Sequence, residues 1–108
     1  MKIAENIREG IIAHARRVAP IEACGYLAGS QDRITALYEM ENIDGREDHF
    51  SFDPGQQFAV HKKARQAGLR IIGVYHSHPV TPARPSVEDI KLAYDPASLY
   101  VIVSLADA

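Results

Sequence analysis

"LRIIGVYHSH", residues 69–78, decides how this chain folds. It is a continuous apolar run rich in β-branched residues, the composition of a central strand covered on both faces. It also ends on two histidines, and the C-terminal ends of such strands are where the functional groups of open α/β sheets collect. Immediately upstream, Gly68 stops a helix expected over about 54–67. That helix opens at Asp53-Pro54, a good N-cap followed by a proline at the first helical position. Further back, "ACGYLAG" (23–29) and "RITALYEM" (33–40) are short apolar or alternating runs joined by Gly29-Ser30-Gln31-Asp32, which predicts a hairpin. Ile3, Ile7, Ile11, Ile12, Ala15 and Val18 recur at helical spacing, so residues about 5–18 are expected to form an amphipathic helix ending before Pro20. Downstream, "SVEDIKLAY" predicts a short helix from Ser86, and "SLYVIVSLA" (98–106) one more buried strand. The class is α/β, a mixed sheet flanked by helices.

Composition limits what such a fold does. With 108 residues, 46% of them hydrophobic, the chain suits one domain with a radius of gyration of about 13 Å. One core of that size holds together without several covalent staples. Cys24 is the single cysteine and cannot form an internal disulfide. There is no apolar signal region and no apolar run of membrane-spanning length, so a cytoplasmic location is expected. A net charge of -2 with acids and bases interleaved offers no broad basic face, so neither nucleic acid nor an anionic membrane is expected as a partner.

The chemistry sits in "HSHPVTPARPSVED", residues 76–89. Residues two apart on a strand point the same way, so His76 and His78 can grip one ion while Ser77 faces away. Asp89, in the first turn of the next helix, can complete a facial set once the proline-rich loop turns the chain back. Ligands of type His, His, Asp leave the fourth tetrahedral position of zinc open to water, as in catalytic sites. Each fragment alone has a plainer reading. A strand-borne H-x-H is commonly a pair of surface or satisfied core histidines, and S-x-x-D before an apolar run is by itself a capping box. His14, His49 and His61 have no ligand-like spacing and read as solvent or packing histidines. The conjunction, in order and at these spacings, is what favours the metal.

That conjunction resembles the JAMM, or MPN-plus, metalloprotease family, whose signature is a distant glutamate followed by H-[ST]-H-P-x(6)-S-x-x-D. Residues 76–89 match it without a mismatch, "PIEACGYLAG" carries the glutamate to Glu22, and "EN" followed by "FSFDP" is a further family-like feature. The chain is most similar to the compact prokaryotic members. The resemblance implies a cytidine-deaminase-like α/β/α layout and one zinc per chain, held with a water by His76, His78 and Asp89. It further implies Glu22 as general base and Ser86 as the donor to the oxyanion. Family domains usually continue with another strand or two, whereas this chain stops at "VSLADA"; a single JAMM domain over residues 1–108 is expected, with truncation at its C-terminal edge left open.

The implied reaction is hydrolysis of the amide after the C-terminal Gly-Gly of a ubiquitin-like or sulfur-carrier protein. The tail would enter a narrow groove as an added strand. Other zinc hydrolases do not fit: no H-E-x-x-H occurs, one cysteine cannot supply the P-C-x-x-C of base deaminases, and amidohydrolase barrels need roughly 250 residues. Cys24, two residues past Glu22, is expected to be a small core residue, with a redox or nucleophilic role as the alternative. Two further alternatives stay open: a non-catalytic MPN scaffold or binding module, and a homodimer formed through the apolar last strand.

Overall fold

The computed structural model describes residues 2–30, 33–46, 50–79 and 99–105. The run at 69–78 forms a strand, β4 (Arg70–His78), as its composition requires. Around it are β1 (Lys2–Ile3), α1 (Glu5–Val18), β2 (Cys24–Ser30), β3 (Arg33–Met40), α2 (Pro54–Gln66) and β5 (Leu99–Ser104). Among the described residues these strands make a five-stranded sheet in the order β1-β3-β2-β4-β5. β2 runs antiparallel to both β3 and β4, while β1 with β3 and β4 with β5 are parallel, so the sheet is mixed.

The two helices cover opposite faces. Ile7 and Ile11 of α1 pack on Leu27, Ile34, Ile72 and Tyr75. Val60 of α2 shares the other cluster with Cys24, Tyr26 and Met40, extended by Phe50, Phe52, Ile71 and Val74. The result is the expected three layers, and burying each large apolar side chain contributes about 1.5–3 kcal/mol. The Cα radius of gyration is 13.1 Å. β4 carries one irregularity: β2 pairs Leu27 with Gly73 but Ala28 with Ile71, so Ile72 is an extra residue in the ladder. Such a bulge interrupts strict alternation, which is how the neighbours Ile71 and Ile72 serve opposite clusters while Tyr75 keeps to the α1 side.

Local signals explain the helix limits. Asp53 accepts a hydrogen bond from the Gln56 backbone N–H at 2.9 Å, with Pro54 at the first position. At the other end Gly68 has φ +75°, and the Gly68 and Leu69 N–H groups donate to the carbonyls of Arg65 and Ala64. That is a Schellman end, and its left-handed residue favours glycine. α1 has no side-chain cap at Ala4, but Glu5 in its first turn and Arg16 and Arg17 in its last complement the helix dipole.

Three features differ from the sequence expectations. Ile3 lies not with the α1 stripe but in β1, paired with Ile34, because the chain stays extended through Ala4 and the helix begins only at Glu5. β5 is half-buried rather than buried: among the described residues it pairs with β4 alone, at the sheet edge. The helix expected from Ser86 lies outside the described residues. No helix among those described is long and apolar enough to cross a membrane.

Candidate active site

β2 and β4 meet with Cys24 opposite His76. The pairing continues past the end of β2, since the Ser77 backbone N–H donates to the Ala23 carbonyl at 2.9 Å. Carried one residue further, the register sets Glu22 across from His78. A glutamate 54 positions upstream of the first histidine is thereby delivered to the same strand end. Nothing in the spacing of the two segments shows this; the antiparallel ladder supplies it.

His76 and His78 are both buried, and their Nε2 atoms approach to 3.2 Å. Extended backbone projects both rings to one side, as expected. Two nitrogens about 2.05 Å from one zinc at the tetrahedral angle stand about 3.3 Å apart, so the pair fits a shared ion. The same separation also serves a hydrogen bond in which one ring donates. Phe50 stacks on the His76 ring, with centroids 4.8 Å apart and planes inclined by 25°.

Ser77 faces away from the histidines but not toward solvent. It is 1% exposed, and its Oγ accepts a hydrogen bond from the Ala23 N–H at 2.8 Å. Ala23 therefore has both backbone groups tied to the residue between the two histidines. Glu22 is held from the opposite side: its N–H donates to the Arg46 carbonyl at 2.9 Å, and its carbonyl accepts from Asn42 Nδ2 at 3.1 Å. The Glu22 side chain is 4% exposed. A carboxyl group removed from water, on a segment paired with the strand end that carries two histidines, is a candidate proton acceptor.

Cys24 is fully buried, and burial, with the neighbouring Glu22 carboxylate adding to the effect, pushes its thiol pKa up to about 12. Full burial and the raised thiol pKa favour the core residue over the nucleophile. His14 is a packing histidine as expected. It lies on the buried face of α1 with Nδ1 2.7 Å from the Tyr75 hydroxyl of β4. Burial lowers its pKa, Glu39 opposing and Arg17 adding to the shift. His61 packs edge-on to Tyr26.

Of the five residues singled out by sequence, His76 and His78 converge, and the backbone register brings Glu22 to the same strand end. Ser86 and Asp89 lie outside the described residues, as does His49. Among the described residues no three His, Cys, Asp or Glu side chains cluster as a metal site; the third expected ligand is Asp89. A groove between α1 and β5, lined by Ile3, Ile11, Val101 and Val103, holds none of the five. Sequence reading gave no role to Asn42, Phe50 or Ser77 at this site. The signal for Asn42 was present, an asparagine opening the turn Asn42-Ile43-Asp44-Gly45, where its side chain can bond nearby backbone.

A model of the prokaryotic homologues of the JAB domain matches residues 4–108. The chain belongs to this prokaryotic JAB family. Among relatives, a CysO-cysteine peptidase of Mycobacterium tuberculosis is 38% identical over 107 residues, spanning 97% of the JAB chain and 73% of that protein. A desampylase of Haloferax volcanii is 32% identical over 111 residues, 96% of this chain and 80% of its own. A solution structure of a Desulfitobacterium hafniense protein superimposes with a TM-score of 0.89 at 43% identity, over 97% of this chain and 75% of that one. A structure described as JAMM, a metalloprotease-like zinc site in the proteasome and signalosome, gives a TM-score of 0.63 at 25% identity, over 97% of this chain and 76% of its own. The JAB chain is a peptidase of the JAMM type with the JAMM/MPN fold, and zinc is the metal of that structural neighbour.

Proposed function

We propose that this JAB domain hydrolyses the amide after the C-terminal Gly-Gly of a ubiquitin-like or sulfur-carrier protein in the cytoplasm, using one zinc per chain held by His76, His78 and Asp89. The observation that carries this reading is the convergence of the two Nε2 atoms to 3.2 Å at the strand end where Glu22 is anchored. When bound there, zinc lowers the pKa of a coordinated water to about 7 and polarises a carbonyl. Glu22 takes the proton from the attacking water and returns it to the leaving amine. Ser86 donates its hydroxyl to the substrate carbonyl oxygen as charge develops, a contribution of about 3 kcal/mol by analogy with other such donors. Phe50 fixes the His76 ring by stacking, so that the imidazole does not have to be ordered at the moment of ligation.

One relative is a CysO-cysteine peptidase by name, which favours a free amino acid as the leaving group over a lysine side chain. Mass spectrometry of the purified protein for zinc, followed by incubation with a sulfur carrier extended past Gly-Gly by one cysteine, with and without chelator, tests this. One zinc per chain and chelator-sensitive cleavage after Gly-Gly are expected. A metal-free protein at neutral pH that binds the carrier intact would replace this reading with a scaffold.

A further inference from the structure

We propose that Asn42 is a positioning residue for Glu22, fixing through its amide the backbone on which the general base is carried; this rests on the reading of Glu22 as that base. One short loop takes both backbone polar groups of Glu22: the N–H goes to the Arg46 carbonyl at 2.9 Å and the carbonyl receives Asn42 Nδ2 at 3.1 Å. The other end of the same amide organises the loop. Asn42 Oδ1 accepts from the Asp44 N–H at 3.1 Å and from the Ser51 N–H at 3.3 Å. The Ile43 N–H donates to the Ser51 carbonyl at 3.1 Å, closing the loop onto the segment that leads to Phe50 and α2.

Only a short carboxamide does this. It offers a donor and an acceptor on adjacent atoms, whereas a carboxylate accepts only and would face the Glu22 carbonyl with like polarity. The backbone of the two histidines does not depend on this loop, which reaches them through Phe50, the neighbour of Ser51, on the His76 ring. They stand on β4, which is fixed by its ladders with β2 and β5. The loop itself is a surface feature, with Glu41 and residues 43–46 exposed, so loosening it leaves both apolar clusters intact. Losing the tether therefore displaces the base without displacing the ion. A misplacement of about 1 Å in a reacting group costs roughly a hundredfold in rate.

Asn42→Asp keeps the acceptor that closes the turn and removes the donor to Glu22, while Asn42→Ala removes both without adding charge. Both variants and Glu22→Gln are compared with the parent on the cysteine-extended carrier, with zinc content, Tm and amide hydrogen exchange of Glu22 measured alongside. The expected result for both Asn42 variants is a kcat about ten- to a hundredfold lower, an unchanged KM, one zinc per chain and faster exchange of the Glu22 N–H. Only Asn42→Ala should also lower Tm. If Glu22→Gln is inactive but Asn42→Asp turns over like the parent, the positioning role is wrong and the base stands. If Asn42→Asp loses zinc or melts early, the residue is structural and the proposal fails. If Glu22→Gln keeps parental kcat, or the zinc-loaded parent leaves the carrier intact, the base reading falls and this role falls with it.

Discussion

Replacing Ser77 with alanine tests whether the glutamate and the histidine pair are joined as one unit. The Ala23 N–H is buried, its residue 2% exposed, and its partner is Ser77 Oγ at 2.8 Å on a residue 1% exposed. Removing the hydroxyl leaves that donor buried, in a space one oxygen atom larger and too small for a bridging water. An unsatisfied buried donor costs about 1–3 kcal/mol, and the neighbouring backbone bond from Ser77 to the Ala23 carbonyl is not affected. For a domain of this size each kcal/mol lowers Tm by roughly 4 °C or more. Urea unfolding in the presence of chelator is the assay, because metal bound to the native state would otherwise add to its apparent stability. The midpoint should fall with the urea dependence unchanged. Turnover of the zinc-loaded variant should fall as well, since Glu22 is the residue next to the freed amide. A loss below about 0.5 kcal/mol, the range of ordinary surface changes, would mean that the bond is not buried in solution and that Ala23 is not the link.

Three other outcomes are expected. His14 titrates lower in the folded chain than its ordinary value of 6.5, chiefly because it is buried, so the unfolded state binds the proton first. Its contribution is complete above about pH 6.5 and is lost as pH falls below it, at up to about 1.4 kcal/mol per unit. His14→Gln should flatten that part of the stability profile relative to the parent in chelator, and parallel profiles would disprove the assignment. Gly25→Ala places a Cβ against the Tyr75 ring and the Tyr38 carbonyl; overpacking there should cost about 1–3 kcal/mol or more, and a near-neutral variant would show that Tyr75 is not seated over β2. Cys24, buried with its pKa pushed up to about 12, should resist alkylation at pH 8 in the native protein and react on unfolding. Fast native labelling would restore it as a reactive group.

Much of this was legible in residues 69–78, because a continuous β-branched run bounded by Gly68 and by histidines admits few other readings. The caps were equally local: Asp53-Pro54 and Gly68 act through bonds three or four residues away, which a sequence displays directly. β1 was missed because two residues carry no periodicity, and Ile3 happened to extend the α1 stripe. β5 was read as buried because apolar composition does not reveal whether a strand has one neighbour or two. Glu22 is singled out only by the family signature. Its own surroundings, Ile21 exposed and Ala23 buried, look like any strand entry, and what brings it to the strand end of the histidines is a register with β4 that no local pattern encodes. The roles of Asn42 and Ser77 were illegible for the same reason, since each bonds a backbone group across the fold, 20 and 54 positions away.

The bulge at Ile72 links the core to the chemistry. Strict alternation along β4 would put Ile71, Tyr75 and Ser77 on one face, and Ile72, His76 and His78 on the other. The structure instead has Ile71 packing on the α2 side and Tyr75 on the α1 side, which requires one residue out of step between them. The β2 ladder locates that step at Ile72. Its consequence is that His76 emerges on the α2 side, beside Cys24 and against Phe50, while Tyr75 turns the other way to reach His14. The face change is thus made inside the apolar run, several residues before the histidines. The strand end itself stays regular, so two rings two residues apart converge while Ser77 between them anchors the segment that carries Glu22. An out-of-step residue between the histidines, at Ser77, would disturb that convergence, and none at all along β4 would turn both rings toward α1.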